Sequence, residues 1–222
     1  MNTFLQRLKE LKDIFVKPGP TLARLMEERE YRASIGVVFL SAVLLSYVTM
    51  PLAMEKAAEM SGGAGGQISV GFTFVVLAAV FAVFMSLVIG GFMIYLFFGA
   101  AGAKGEYGHF FALVVNASLI DTAIPNVLQA ISLATGAGIV KYTSLAGYIG
   151  GFAEKSLPQL AFSQLNVFSI WYIVAVALGV SVFANMSVKK SMVVGSLYFL
   201  FKLVVVTMFK HLVNLMGKSM GM

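Results

Sequence analysis

The chain has no cysteine, and charged residues make up only 12% of its 222 positions. The first absence excludes a disulfide framework, a thiolate metal site and a cysteine nucleophile. The second excludes an ordinary water-soluble domain, which carries about 25% charge. Histidine is scarce too. His109 and His211 are the only two, and they fall at opposite ends of their apolar segments, so no shared metal is expected. The sequence also carries no nucleophile–histidine–acid set and no cofactor motif. What it has instead is apolar surface: 59% of the residues are hydrophobic and the mean hydropathy is +0.89. Such a chain cannot bury all of that surface in one core facing water, so lipid must be the solvent for much of it. Its net charge of +6 then marks a face meeting anionic lipid rather than a nucleic-acid site.

Runs of about 20 apolar residues give five spans, at roughly 33–53, 70–101, 108–135, 165–186 and 191–216. The expected fold is an all-α integral membrane bundle of five transmembrane helices. The second run is long enough to tilt or break, and "IGG" at Ile89–Gly91 is its weak point. The last two runs are joined by the short turn "NMSVKK" and should be antiparallel neighbours. Orientation follows from lysine and arginine in the loops. With the N-terminus in the cytoplasm, that side holds Arg7, Lys9, Lys12, Lys17, Arg24, Arg29, Arg32, Lys104, Lys189 and Lys190. The other side holds only Lys56, Lys141, Lys155 and Lys218. The bias puts the N-terminus inside and the C-terminus outside, and it places Trp171, the single tryptophan, in the outer interfacial belt.

Residues 1–32 form a cytoplasmic lead-in, 33–216 the membrane domain and 217–222 a short tail. The lead-in is too charged for a signal peptide. Phe4, Leu8, Leu11 and Phe15 recur at helical spacing, which predicts an amphipathic helix. It lies either in the cytoplasmic interface or on the protein's own cytoplasmic face. "KPGP" ends it, and a second short helix is expected from near Pro20. "SGGAGGQ" reads as a flexible outer connection and fails the spacing of a phosphate cradle. Residues 136–164, with Gly147 and Gly151 four apart, read either as a re-entrant or interfacial segment or as an ordinary loop.

The most informative stretch is "ASLIDTAIP", residues 117–125, which puts a carboxylate and a proline inside an apolar span. Asp121 needs a partner or a water-filled cavity. It lies twelve residues beyond His109, and Lys202 lies twelve residues beyond Lys190. Both therefore sit ~18 Å up their helices, and an intramembrane Asp121–Lys202 ion pair is expected. Ser118, Thr122, Pro125 and Gln129 form a stripe on the same span, with Asp121 and Asn126 flanking it and Asn116 one turn earlier. The fifth span adds Lys210, His211 and Asn214. Pro125 leaves the Asp121 carbonyl without its usual amide donor. Two roles are open. The pair and stripe could glue kinked helices together, or they could line a path or site for an ion, proton or small solute.

"LNVFSIWYIVAVALGVSVFANMSVKKS" resembles the fourth-span signature of the Yip (Ypt-interacting-protein) membrane family. "IFVKPGPTLARLMEEREYRASI" resembles that family's proline-containing lead-in, and "YGHFFALVVNASLIDTAIPNVL" its third span. The resemblance covers most of the chain and implies five spans with a cytoplasmic N-terminus. Eukaryotic relatives are associated with Rab-type GTPases and vesicle traffic. The lead-in here, about 32 residues, is shorter than theirs, which is similar to the prokaryotic branch and argues against carrying GTPase binding over. The expectation is a non-enzymatic protein of a prokaryotic cell membrane, without cofactor or metal. It would act as a scaffold or membrane-organising factor for partner proteins or lipids, with a homo-oligomer among its expected forms. The alternative is a small transporter or channel using the polar third and fifth spans.

Overall fold

The computed structural model describes residues 12–60, 72–138, 143–149 and 156–219, and every long element among them is a helix. The helices are α1 (Pro18–Glu27), α2 (Arg32–Met60), α3 (Phe72–Ala100), α4 (Tyr107–Ser118), α5 (Ile124–Thr135), α6 (Leu157–Gln164), α7 (Val167–Phe183) and α8 (Val188–Ser219). A π-helical turn, Leu119–Ala123, joins α4 to α5 without interrupting the span. Arg32–Pro51, Thr73–Ala100, Tyr107–Thr135 and Val188–Met216 are long and apolar enough to cross a membrane. α7 is equally apolar but has 17 residues, about 25 Å at 1.5 Å per residue. Tyr107–Thr135 is the central helix: 56% of its most apolar window is buried, against 11% for α3.

The described part of the lead-in, residues 12–32, is built into the bundle. Residues 12–16 are helical, and the chain bends at Lys17 because Pro18 has no N–H to continue the ladder. A second helix starts there, two residues before the expected Pro20, with proline in its first turn. Pro18, Gly19, Leu22, Ala23, Leu25 and Met26 make up its buried face, which packs on the C-terminal end of α7. Ile14, Leu22 and Met26 are wholly buried. Phe15 packs against the core, whereas Phe4, Leu8 and Leu11 lie outside the described residues.

Close packing of α1 on α7 requires Gly179. A Cβ at that position would lie 2.9 Å from Leu22 Cβ and 3.0 Å from Leu113 Cδ1. The expected break at Ile89–Gly91 does not occur, and α3 runs straight through it. Glycine serves contact there instead: a Cβ on Gly91 would stand 3.3 Å from the Phe111 Cα. α4 is therefore drawn tightly against α3.

Residues 101–109 and the turn 184–187 share one end of the bundle with α1. Arg29, whose φ is 51°, reaches Glu106 at 2.6 Å. Glu106 caps α4 in a reciprocal arrangement with His109, whose Nδ1 accepts the Glu106 N–H at 3.0 Å. At the other end, residues 136–164 contain more than a loop. A 3-10 turn (Leu145–Gly147) precedes α6, whose first turn is capped by Ser156. Leu145 donates its N–H to the Leu165 carbonyl at 2.9 Å, tying this segment to the start of α7. Gly147 sits in the 3-10 turn, while Gly151 and "SGGAGGQ" lie outside the described residues. The turn between α7 and α8 is short because Asn185 accepts a positive φ of 53°.

Gly179→Ala should destabilise the protein by about 1–3 kcal/mol, the usual cost of forcing a methyl into a filled contact. Gly36→Ala, where nothing lies within 4 Å of the added carbon, should be neutral or slightly stabilising. Reversible unfolding in mixed detergent micelles compares the two.

Candidate functional site

Pro125 shapes the local backbone. In a regular α-helix its ring would strike the carbonyl of Asp121 and could not donate to it. The chain relieves this by widening one turn, so that the Ile124 N–H reaches back five residues to the Leu119 carbonyl. Such π turns recur at functional sites because they re-aim a side chain. The side chain re-aimed here is Asp121.

Lys202 meets it. Its Nζ donates to Asp121 Oδ2 at 3.2 Å. Each residue lies fourteen positions into its helical segment, counted from Tyr107 and Val188, or about 21 Å up. Asp121 Oδ1 accepts the Thr122 hydroxyl at 3.1 Å. The ammonium also sits 5.0 Å above the Tyr172 ring, close enough for a cation–π attraction. The carboxylate side chain is 11% exposed and the lysine 38%.

The pair forms the charged part of a cavity of about 630 Å³, which Ser86, Thr122 and the two tyrosines Tyr172 and Tyr198 also line. α3 contributes Met85, Ile89 and Gly90, α4 contributes Val114 and Ser118, and Tyr172 and Tyr198 flank the ions. Phe201, Val205 and Phe209 come from α8. Met85, Ile89, Phe201, Val205 and Phe209 also remain exposed on the outer surface, so the mouth lies sideways between α3 and α8. Lys202 lines a second pocket as well, of about 220 Å³, on the neighbouring face of α8 with Ser163, Gln164, Asn166, Ser169 and Lys210.

The other expected site residues divide. Ser118 lines the cavity, but its hydroxyl is satisfied by the Val115 carbonyl at 2.7 Å. Asn126 donates to Ser41 Oγ at 3.2 Å and ties α5 to α2. Asn116 is 2% exposed and is a separate structural node. It accepts the Ser34 hydroxyl at 2.6 Å and donates to the Glu30 carbonyl at 2.6 Å and the Ala112 carbonyl at 2.8 Å. Gln129 is exposed, because the π turn rotates everything after it away from a regular stripe. Lys210, His211 and Asn214 do not line the Asp121 cavity. Lys210 borders the second pocket, Lys210 and Asn214 line a further shallow one with Leu160, and His211 Nδ1 is buried without a partner. Trp171 is 37% exposed near the start of α7. Among the described residues no group of three or more metal-ligating side chains converges.

Sequence reasoning missed Tyr172 and Tyr198, whose spacing does not distinguish them from core. It also missed the Arg29–Glu106–His109 cluster, for which the Glu106-x-x-His109 spacing before an apolar run was an available signal.

Removing one ion strands the other. Asp121→Asn and Lys202→Gln should each destabilise by roughly 3 kcal/mol, the lower edge for a buried pair because Lys202 is partly exposed. The double variant should cost less than the two together. Strict additivity in detergent unfolding would show that the pair does not act as a pair.

The Yip1 domain matches residues 12–209 of the chain, and the chain belongs to that family. No curated protein and no solved structure matches it.

Proposed function

We propose that this Yip1-domain integral membrane protein is a non-enzymatic membrane-organising factor that holds a lipid in the cavity between α3 and α8. The observation that carries the reading is the cavity itself: apolar walls, a sideways mouth, and a single ion pair at depth. A hydrocarbon tail suits walls of Met85, Ile89, Phe201 and Val205. A polar group attached to that tail, such as an ester carbonyl or hydroxyl, suits the remaining hydrogen-bonding capacity of Asp121 and Lys202. Water alone fits poorly against so apolar a wall.

The topology that accompanies this reading has five crossings, with α7 as the short fourth. The N-terminus is cytoplasmic and the C-terminus outside, in a prokaryotic cell membrane. The basic bias of the loops supports it, as does the grouping of α1, residues 101–109 and residues 184–187 at one end of the bundle. Binding of a Rab-type GTPase is not part of the proposal. Partner proteins would meet the chain on its exposed helix faces.

Transport of an ion, proton or small solute is the second reading, favoured by one observation: Lys202 lines two cavities, on neighbouring faces of α8. Two measurements separate the readings. A photoreactive side chain at Val206 should capture lipid in native membranes, and filling the cavity with Gly90→Leu should reduce that capture severalfold. Capture unchanged by Gly90→Leu would contradict the lipid site. Proteoliposomes containing wild type should show no proton, sodium or potassium flux. Flux that disappears in Asp121→Asn would establish the transport reading in its place.

A further inference from the structure

The second pocket beside Lys202 differs in character from the first. Ser163, Gln164, Asn166, Ser169, Lys202 and Lys210 supply its polar wall, and no carboxylate lines it among the described residues. The two lysines are eight residues apart on α8 and thus about 12 Å apart along its axis. Lys210 is the exposed one, so the pocket runs from the outer end of the bundle down to the ion pair. Gln164 and Ser163 are committed: Gln164 Nε2 donates to Thr207 Oγ1 at 2.7 Å, and the Ser163 hydroxyl to the Leu160 carbonyl at 2.7 Å. They stiffen the wall. Asn166 uses its Oδ1 to cap α7, accepting the Ser169 N–H at 2.8 Å, which leaves its amide N–H group as a donor. Lys202 gives one N–H to Asp121 and keeps two. The N-terminal end of the 17-residue α7 adds its positive dipole from the same side.

We infer that this pocket binds a phosphate-type oxyanion, held by Lys210 and Lys202 with Asn166 and Ser169 as neutral donors. Its volume, about 220 Å³, accommodates a tetrahedral oxyanion, and its wall presents donors without a competing carboxylate. Charge-assisted hydrogen bonds from ammonium groups are the strong kind for such a ligand. The inference stands apart from the lipid reading of the first cavity, since Lys210, Asn166 and Ser169 do not line that cavity. The phosphate could be a free anion or the headgroup of a lipid in the outer leaflet, and both present the same chemistry. Lys202 couples the two pockets. An oxyanion and the Asp121 carboxylate draw on the same ammonium, so removing the carboxylate charge should strengthen oxyanion binding.

The test uses the full chain purified in a neutral detergent. Equilibrium dialysis against radiolabelled inorganic phosphate reads the free anion. Native mass spectrometry with phosphatidylglycerol, against diacylglycerol of the same chains, reads the headgroup. Expected is binding of phosphate, or retention of phosphatidylglycerol over diacylglycerol. Either should weaken about tenfold in Lys210→Gln, the usual effect of losing one charged hydrogen-bond donor. It should strengthen in Asp121→Asn and be unchanged in Lys104→Gln, at the opposite end of the bundle. Lys210 is exposed, so its substitution leaves the fold intact, and co-elution with wild type on size exclusion checks this. Phosphate binding alone assigns a free oxyanion, and headgroup-dependent retention alone assigns a lipid. Absence of both, or a loss in Lys104→Gln as large as in Lys210→Gln, overturns the proposal.

Discussion

A carboxylate among helices that face hydrocarbon is tolerable only against a cation, and the 3.2 Å contact of Lys202 with Asp121 meets that condition. Several features depend on it. Pro125 forces the π turn, the π turn aims Asp121 out of its helix, and Lys202 then ties the central span to α8, which packs on α7, α6 and α3. Neither residue could face lipid alone without severe cost. The pair is the polar link between the central span and the last helix, which is otherwise held by its packing on α7, α6 and α3.

The rest of the bundle is arranged by two further devices. Small residues let backbones close up where packing is tightest, as Gly179 does beneath Leu22 and Gly91 beneath Phe111. Buried polar side chains satisfy one another across helices instead of reaching for water: Asn116 gathers Ser34, Glu30 and Ala112, and Asn126 meets Ser41. Gly179, Gly91 and Asn116 close the end of the bundle where α1 seats on α7, while the Asn126–Ser41 bond ties α5 to α2 beyond the ion pair. On the opposite side of the ion pair α3 and α8 stand apart, and the cavity lies between them. The lipid site we propose rests on this side mouth beside the ion pair.

Much of this was legible from residues alone. Long apolar runs announce helices in lipid because nothing else satisfies the backbone there. Equal spacing of Asp121 and Lys202 from their helix starts was enough to suggest that they meet, since helical rise converts sequence distance directly into depth. Other features resisted. The glycines of α3 read as a weak point, yet they are contact points, because sequence does not say whether a neighbour will press on a bare Cα. The position of Gln129 was misjudged because a π turn shifts the phase of every later residue, and the turn's existence depends on how Pro125 is accommodated. Helix α6 was hidden in a segment rich in glycine, and the two tyrosines around Lys202 carried no periodic mark. The Yip resemblance, borne by the lead-in, the third span and the Ser-Val-Lys-Lys turn, agrees with the domain match over residues 12–209. It says nothing of what the cavity holds.

The most direct test of the account is an experimental structure of the wild type in lipid nanodiscs, resolved well enough to show density between α3 and α8. The account predicts elongated density in that gap, with its polar end against Asp121 and Lys202 and the two side chains in contact. A gap filled by ordered water continuous with one face of the membrane, or α3 packed directly on α8 with no gap, would contradict it.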